Sequence, residues 1–249
     1  MMPQNLAENC VVSSTASTNL LARELAEAGR PEGTWVAAEV QTGGRGRGAH
    51  QWVSDKGNLF LSLVSRVEDR SLWTWIPLAA AVSLRRAALS LKPDLLGELK
   101  IKWPNDLYLD EGKAAGVLCE TVGSAVVIGV GANCASAPSL PGVVTRSLGI
   151  DCHLLREVFL AEIQAVLRDL RNRGPGFLRT EYESASFLLP GDEVSWGDSS
   201  EGVGLRRGKV LGLGQFGELR VTPMEHAEPR SETESVSLYS EEIQRLRKS

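Results

Sequence analysis

The segment "KWPNDLYLDEGKAAGVL", residues 102–118, has the pattern of a β-hairpin and indicates the fold class. Residues 106–109, "DLYL", and 115–121, "AGVLCET", are short apolar pieces typical of strands. Residues 110–113, "DEGK", lie between them and contain the residue types that favour tight turns. Two antiparallel strands of a larger sheet are therefore predicted here.

Further strands are predicted on both sides of this hairpin. Residues 34–40 and 58–64 are rich in β-branched and large apolar residues, as are 98–103 and 125–134. Four strands added to the hairpin are enough for a central sheet.

Helices are predicted between these strands and after them. One follows the capping candidates Ser17 and Thr18 and ends near Gly29. A second runs from Pro77 to about residue 92, and a third over 151–174 repeats apolar residues at spacings of three and four. The expected fold class is α+β, with a mixed sheet backed by helices.

The composition changes near residue 188. Short alternating pieces split by glycines follow, at 193–197, 203–214 and 218–223, which favours a small antiparallel barrel or sandwich. Two domains are predicted, 1–187 and 188–249, with the charged residues 240–249 as a frayed helix or tail.

Composition excludes several classes of protein. With 249 residues, 43% hydrophobic, a net charge of -4 and a pI near 5.6, the chain is expected to fold and not to present a whole surface tuned to nucleic acid. It has neither a secretion signal nor an apolar run of ~18 residues, which predicts a cytoplasmic protein outside the membrane. Four cysteines without CxxC spacing and three histidines support neither a disulfide framework nor a protein-bound metal site, and no Ser-His-Asp arrangement is indicated.

The segment "EVQTGGRGRGAHQW", residues 39–52, places four glycines and two arginines between two predicted strands. Glycine lets backbone amides approach a ligand, and arginine offers a fork of donors matched to carboxylate and phosphate. The spacing fits neither a P-loop nor a dinucleotide fingerprint. An anion-binding loop and a mobile surface loop with solvated arginines both remain open at this point.

Lys102 and Lys113 flank "WPNDLYLDEG", residues 103–112, and a lysine can neutralise charge on a reacting phosphate. Lys102 and Lys113 could equally be solvated surface side chains. Asp106 could equally be a turn cap. Residues 17–19, "STN", fit a helix cap, and Asn133 fits a turn after a buried strand.

Four motifs taken in order resemble the biotin protein ligases: "STN", "EVQTGGRGRG" followed by a tryptophan, "KWPNDLYLDEGKAAGVL" and "IGVGANC". They span about residues 17–134, and the later helix and carboxy-terminal strands also stand where that family has them. The third motif is specific, whereas the glycine-arginine loop alone is not.

This resemblance implies a catalytic domain of the biotin/lipoate ligase fold followed by an SH3-like β-barrel. It implies a reaction in which biotin and ATP, with Mg²⁺, form biotinyl-5′-AMP, and a lysine of a biotin carboxyl carrier domain in a biotin-dependent carboxylase then takes the biotin. Only sixteen residues precede "STN", so a monofunctional ligase without a DNA-binding domain is expected.

The resemblance also implies site residues. Lys113 and Arg45 would act on the carboxylate and the α-phosphate, and Asp106 would orient Lys113 or help to hold magnesium. The residues implied for substrate binding are Ser17, Thr18, Asn19, Gln41, Gly44, Arg45, Gly46, Arg47, Trp52, Lys113, Gly116 and Asn133, the last on the adenine side.

Two departures from the family pattern stand out. Gly48, Ala49 and His50 replace further arginines after the loop, which implies a weaker grip on the adenylate, and Tyr239 replaces an arginine after the "SL" strand. A contact from the barrel to ATP is therefore not expected.

Alternative functions remain open at this point. Lipoate ligases and octanoyl transferases share the fold and the acceptor-lysine chemistry. A catalytically inactive relative that only binds its ligand, and an RNA-binding module built on the arginine-glycine loop, are the alternatives from other classes. Edge strands of the sheet suit either an acceptor or a second copy in a homodimer.

Overall fold

The computed structural model describes residues 9–48, 50–197, 206–224, 235–239 and 245–248. Its main sheet has seven strands in the order β1-β2-β3-β7-β6-β5-β4. Strand β1 is parallel to β2 and the other pairs are antiparallel, so the predicted mixed sheet is confirmed. The strands are β1 (Cys10–Val12), β2 (Trp35–Ala38), β3 (Leu59–Ser65), β4 (Leu99–Lys102), β5 (Asp106–Leu109), β6 (Gly112–Val122) and β7 (Ala125–Ala132).

The predicted hairpin is formed by β5 and β6. Leu109 pairs with Gly112, so a two-residue loop of Asp110 and Glu111 joins the strands. Asp110 has a φ of 51°, the left-handed conformation that such loops require and that aspartate tolerates. The sequence missed only the short edge strand β1 of this sheet.

Four α-helices cover the main sheet: α1 (Thr18–Glu27), α2 (Ile76–Leu91), α3 (Cys152–Arg173) and α4 (Gly176–Ala185). A 3₁₀ turn, Arg70–Trp75, leads into α2, and a second, Pro93–Leu95, follows it. The first three helices confirm the predictions, while α4 was not predicted.

The two faces of the sheet have different roles. Side chains alternate along a strand, so neighbouring residues of β3 belong to different cores. Leu61 and Leu63 pack in the large core with α2 and α3, whereas Val64 packs against α1 in a smaller cluster. Helix α1 covers only part of its face, and the uncovered part is where the candidate site lies.

A second sheet of five antiparallel strands forms the carboxy-terminal part, in the order β11-β10-β9-β8-β12. Its strands are β8 (Glu193–Gly197), β9 (Arg206–Leu213), β10 (Leu219–Pro223), β11 (Val236–Leu238) and β12 (Arg245–Lys248). This agrees with the expected small barrel. The expectation of a helix or tail was wrong for residues 245–248, which pair with β8, and residues 240–244 and 249 lie outside the described residues. The boundary at residue 188 stays a prediction.

One turn of the second sheet is hydrogen-bonded to the part of the chain that contains the main sheet. The indole Nε1 of Trp103 donates to the carbonyl of Gly217 at 2.9 Å. The Arg179 guanidinium donates to the carbonyls of Leu213 and Gly214, both at 2.6 Å. Trp103 directly precedes the "PND" turn, so this contact lies beside the candidate site.

The start of α3 supplies a pH-dependent prediction. Asp151 is its N-cap, and its Oδ1 accepts from the amides of His153 at 2.9 Å and Leu154 at 3.0 Å. These bonds, that from Leu154 first, lower the pKa of Asp151. A lowered folded-state pKa means that the carboxylate stabilises the fold above its ordinary pKa, and that this contribution is lost as pH falls through the folded pKa.

We therefore expect Asp151→Asn, which keeps an oxygen acceptor but cannot ionise, to melt below the unsubstituted protein at pH 7. The carboxylate also interacts better with the helix dipole than an amide does. The gap should close as pH falls from 7 to about 3. Thermal melts of both proteins across this range measure it, and a gap that is constant with pH would contradict the assignment.

Candidate active site

The floor of the site is the face of β6 and β7 that α1 leaves uncovered. Gly116 pairs with Gly131, and Leu118 with Gly129. A Cβ at Gly131 would lie 2.5 Å from Cε2 of Trp52, and one at Gly129 would lie 1.9 Å from Oδ1 of Asn19. These two glycines therefore let neighbouring side chains lie directly on the sheet.

The start of α1 forms a polar wall above this floor. Ser17, Thr18 and Asn19 are buried, and Ser17 makes no side-chain cap bond. The amide of Thr18 donates to Oε1 of Gln41 at 2.9 Å, and the Ser62 hydroxyl donates to Oδ1 of Asn19 at 2.6 Å. The "STN" segment thus contributes a hydrogen-bond network to the site and is more than a helix cap.

A small cavity of about 30 Å³ lies between this wall and the floor. Its volume is that of about one water molecule. The indole Nε1 of Trp52 is buried and has no hydrogen-bond partner in the described part of the chain. The lining residues are Ser17, Thr18, Asn19, Gln41, Arg45, Trp52, Leu118, Gly129, Val130 and Gly131.

The glycine-arginine loop folds back on itself over the floor. Arg45 and Gln51 form an antiparallel bridge, and the amide of Trp52 donates to the carbonyl of Gly44 at 2.9 Å. The amide of Gly46 donates to the carbonyl of His50 at 2.8 Å. The described residues of the loop therefore form a hydrogen-bonded turn over the floor.

The two arginines of the loop have different surroundings. Arg45 Nη1 lies 3.0 Å from Oε1 of Glu120. Arg47 is half-buried, and its Nη1 has no hydrogen-bond partner among the described residues. Burial lowers the pKa of Arg47, and the nearby Asp106 carboxylate partly offsets this. An unpartnered guanidinium nitrogen in a cavity wall is a donor suited to an anionic ligand.

Lys113 and Asp106 form an ion pair at the edge of the floor. Lys113 Nζ lies 2.7 Å from Oδ2 of Asp106 and 5.5 Å from the centroid of the Trp52 ring. Asp106 stands opposite Gly116 on the neighbouring strand. The pair holds a lysine ammonium in a defined place, half-exposed, where it can neutralise an added anion.

A large cavity of about 840 Å³ contains this ion pair and the loop arginines. Its far wall is residues 138–145, which the sequence analysis did not identify. The amide of Lys113 donates to the carbonyl of Val144 at 2.9 Å, which ties this wall to β6. The wall presents the apolar residues Val143 and Val144 and suits a flat, partly apolar group.

Asn133 connects this wall to the ion pair. Its Nδ2 donates to the carbonyls of Lys113 and Arg146, both at 3.2 Å, while its Oδ1 is buried without a partner among the described residues. A direct role on the adenine side stays a prediction, and the observed bonds show that Asn133 fixes the backbone of Lys113.

Two more residues on this cavity, Tyr108 and Phe187, were not identified from the sequence, and Lys102 lies beside them. Lys102 Nζ lies 4.7 Å from the ring centroid of Tyr108, and the Tyr108 and Phe187 rings lie 5.0 Å apart. Burial raises the pKa of Tyr108, with Asp106 adding to the effect. Tyr108 stands two residues after Asp106 on β5 and lines the same cavity, whereas Phe187 comes from a distant segment.

The structure gathers the predicted site residues around the two cavities, which share Arg45, Trp52 and Leu118. Gly44 lines neither cavity, and its carbonyl accepts a hydrogen bond from the amide of Trp52 at 2.9 Å. Of the two departures, His50 lines the large cavity and Tyr239 lines neither. The predicted site residues that line the large cavity are Arg45, Gly46, Arg47, Trp52, Asp106, Lys113, Gly116 and Asn133.

The described residues include no group of three or more His, Cys, Asp or Glu side chains that would hold a metal ion. Nor does any helix among them have the length and apolar character needed to cross a membrane.

Residues 9–133 match the model of the biotin/lipoate A/B protein ligase family. A biotin–[acetyl-CoA-carboxylase] ligase from Mycobacterium tuberculosis is 34% identical over 190 residues, which cover 72% of this chain and 71% of that relative. The chain belongs to the biotin/lipoate A/B protein ligase family.

Other members of this family are similar. A biotin–[acetyl-CoA-carboxylase] ligase from Paracoccus denitrificans is 40% identical over 139 residues, covering 53% of this chain and 57% of the relative. The structure of biotin protein ligase from Aquifex aeolicus in complex with biotin and ATP superposes with a TM-score of 0.78 at 25% identity, over 96% of this chain and 98% of that one. The expected ligase fold is confirmed.

Proposed function

We propose that this chain is an ATP-dependent biotin protein ligase, which activates biotin to biotinyl-5′-AMP and transfers the biotin to a lysine of a biotin carboxyl carrier domain. The observation that carries the proposal is the pair of adjoining cavities, one walled by neutral polar groups and one by cations, which meet at Arg45 and Trp52. The names of the similar ligases, and the relative solved with both biotin and ATP, support it.

Biotin is assigned to the smaller cavity. Its ureido ring is neutral and polar, and the hydroxyl and amide groups of Ser17, Thr18 and Gln41 match it. The ring needs far more room than about 30 Å³, so Trp52 moves off Gly131 as biotin enters. The loop then closes over the ligand and excludes water from the adenylate.

ATP is assigned to the larger cavity, with its base against residues 138–145 and its phosphates toward Arg47 and Lys113. In the first step a carboxylate oxygen of biotin attacks the α-phosphorus and pyrophosphate leaves. Lys113, held by Asp106, and the free Nη1 of Arg47 stabilise the negative charge that builds on the phosphoryl oxygens.

In the second step the neutral amine of an acceptor lysine attacks the acyl carbon of the adenylate. An amide bond forms, AMP leaves with the electron pair of the acyl–oxygen bond, and the amine loses a proton. The large cavity is open to solvent through exposed residues such as Gln51 and Pro141, which gives the acceptor a route to the acyl carbon.

Magnesium is proposed to enter with ATP. Mg²⁺ is usually held by one or two carboxylates together with substrate phosphates. Asp106 and Glu111 line the large cavity, so this chain offers carboxylates that fit such an ion. When bound, the ion neutralises phosphate charge.

The partners beyond the small molecules are proposed on chemical grounds. The acceptor is proposed to be a carrier domain of a carboxylase, and the cytoplasm is the proposed compartment of the reaction. Strand β1 is an edge of the main sheet as described, and it offers its backbone to an acceptor or to a second copy of the chain.

The proposal is tested by pyrophosphate release from ATP and magnesium with biotin, lipoate or octanoate supplied separately, followed by mass spectrometry of the acyl-adenylate. We expect release with biotin only and a biotinyl-AMP mass. Release with lipoate or octanoate instead would keep the family and replace the substrate. Biotin binding without release would identify an inactive relative.

A further inference from the structure

Glu120 connects the arginine loop with the polar wall of the smaller cavity. It lies on β6, on the floor side of the sheet, two residues beyond Leu118, which lines both cavities. We propose that Glu120 is a positioning residue for biotin activation, whose carboxylate holds Arg45 and Asn19 in the arrangement that receives biotin. This inference rests on the proposed function.

The two oxygens of the Glu120 carboxylate serve different partners. Oε1 lies 3.0 Å from Nη1 of Arg45, and Oε2 accepts a hydrogen bond from Nδ2 of Asn19 at 2.7 Å. The Glu120 side chain is 22% exposed, so its charge is only partly screened by water. One carboxylate therefore joins the loop to the start of α1.

Among side chains, only a carboxylate has two oxygens that accept hydrogen bonds and no group that donates one. It accepts hydrogen bonds and donates none, so Asn19 must turn its NH₂ group toward Glu120. The Oδ1 of Asn19 then faces Ser62, whose hydroxyl donates to it at 2.6 Å. Glu120 thus sets which way the buried Asn19 amide points, together with the carbonyl of Leu118, which accepts from the same Nδ2 at 3.3 Å.

The orientation passes on to the residues assigned to biotin. Ser62 Oγ lies 2.8 Å from Oγ1 of Thr18, and the Thr18 amide donates to Oε1 of Gln41. A continuous hydrogen-bonded path therefore runs from Arg45 through Glu120 and Asn19 to Gln41. It ties together separate segments of the chain, and the Ser62 and Thr18 hydroxyls within it take their direction from the Asn19 amide.

Glutamine at position 120 keeps the size and shape of the side chain but replaces one of its two acceptor oxygens with an NH₂ group. It has one oxygen, whereas Arg45 and Asn19 both need an acceptor, so one of them loses its bond. We expect Glu120→Gln to raise the KM for biotin about tenfold, in line with the loss of one hydrogen bond to a charged group. The KM for ATP should change less than about twofold, since Lys113 and Arg47 are untouched.

A second substitution distinguishes an effect on the orientation of residue 19 from a general disturbance of the structure. In Glu120→Gln combined with Asn19→Asp, the amide and the carboxylate exchange places. The introduced glutamine can present its oxygen to Arg45 and its NH₂ group to the introduced aspartate, which still accepts from Ser62. The double variant should therefore recover part of the biotin affinity, since the aspartate no longer donates to the carbonyl of Leu118, whereas Asn19→Asp alone places two carboxylates together and should be the poorest binder of the three.

The experiment measures pyrophosphate release against biotin and against ATP for these variants, with Glu27→Gln as the control. Glu27 pairs with Arg23 at the same 3.0 Å but lies on the exposed side of α1. Limited trypsin cleavage after Arg45 and Arg47, without ligand, is followed in parallel. Glu120→Gln should be cut faster than the unsubstituted protein, and Glu27→Gln at the same rate.

The outcomes separate the two proposals. If the unsubstituted protein releases no pyrophosphate with biotin, the proposed function is overturned. The rates of trypsin cleavage then still decide whether Glu120 holds the loop. An active protein whose Glu120→Gln variant has an unchanged KM for biotin and an unchanged cleavage rate overturns the positioning role. So does a double variant no better than Glu120→Gln, provided that thermal melts show it folded.

Discussion

Replacement of Lys113 by alanine is expected to slow biotin-dependent pyrophosphate release about a hundred- to thousandfold. Loss of one preorganised donor to a developing charge typically costs about 2.7–4 kcal/mol of transition-state stabilisation. Lys113 meets that description because Asp106 holds its Nζ at 2.7 Å and the carbonyl of Val144 fixes its backbone. The effect should fall on kcat more than on the KM for biotin.

Lys56→Ala is the matched control, since the Lys56 side chain is 79% exposed and lies outside both cavities. Its rate should equal that of the unsubstituted protein. Single-turnover formation of biotinyl-AMP measures the first step alone, and a thermal melt checks that each variant is folded. Near-normal adenylate formation by a folded Lys113→Ala variant would remove Lys113 from the role assigned to it.

Of the substitutions proposed here, replacement of Trp103 by alanine should lower the free energy of unfolding the most. Trp103 is 3% exposed in the large core, and removal of a buried tryptophan side chain costs about 3–5 kcal/mol. That is a large fraction of the roughly 5–15 kcal/mol by which domains are stable. The variant also loses the hydrogen bond to the carbonyl of Gly217 and, with it, one attachment of the second sheet.

Trp103→Phe keeps an aromatic ring in the core but removes the indole donor and part of the buried ring. It should cost less than Trp103→Ala, roughly 1–3 kcal/mol. Urea unfolding followed by circular dichroism measures both variants. Equal midpoints for Trp103→Ala and the unsubstituted protein would contradict the packing described here.

Local patterns were sufficient for most of the fold. The hairpin of β5 and β6 could be predicted because its turn residues and its apolar alternation are neighbours in sequence. Helix α3 could be predicted for the same reason, since its buried residues repeat along a single segment. Short β1 carries too few residues for a pattern, and residues 245–248 form a strand only because β8 lies beside them.

The site was predicted less completely, for a related reason. Lys113, Asp106 and Arg45 belong to motifs that stand out in the sequence. Glu120 does not, since its partner Asn19 is 101 positions away and neither residue type is unusual on a strand or a helix. The wall of residues 138–145 was missed because its contact with Lys113 is made by backbone groups, which carry no sequence signal.

The glycine floor has a consequence for how substrate preference can change within the family. Gly116, Gly129 and Gly131 present peptide groups alone to whatever lies on them, and their reverse side is a packed core. Choice between ligands must therefore reside in the polar wall and in the loop, which touch the core much less. New specificities can arise there by exchange of a few side chains, while the sheet that supports them is inherited unchanged.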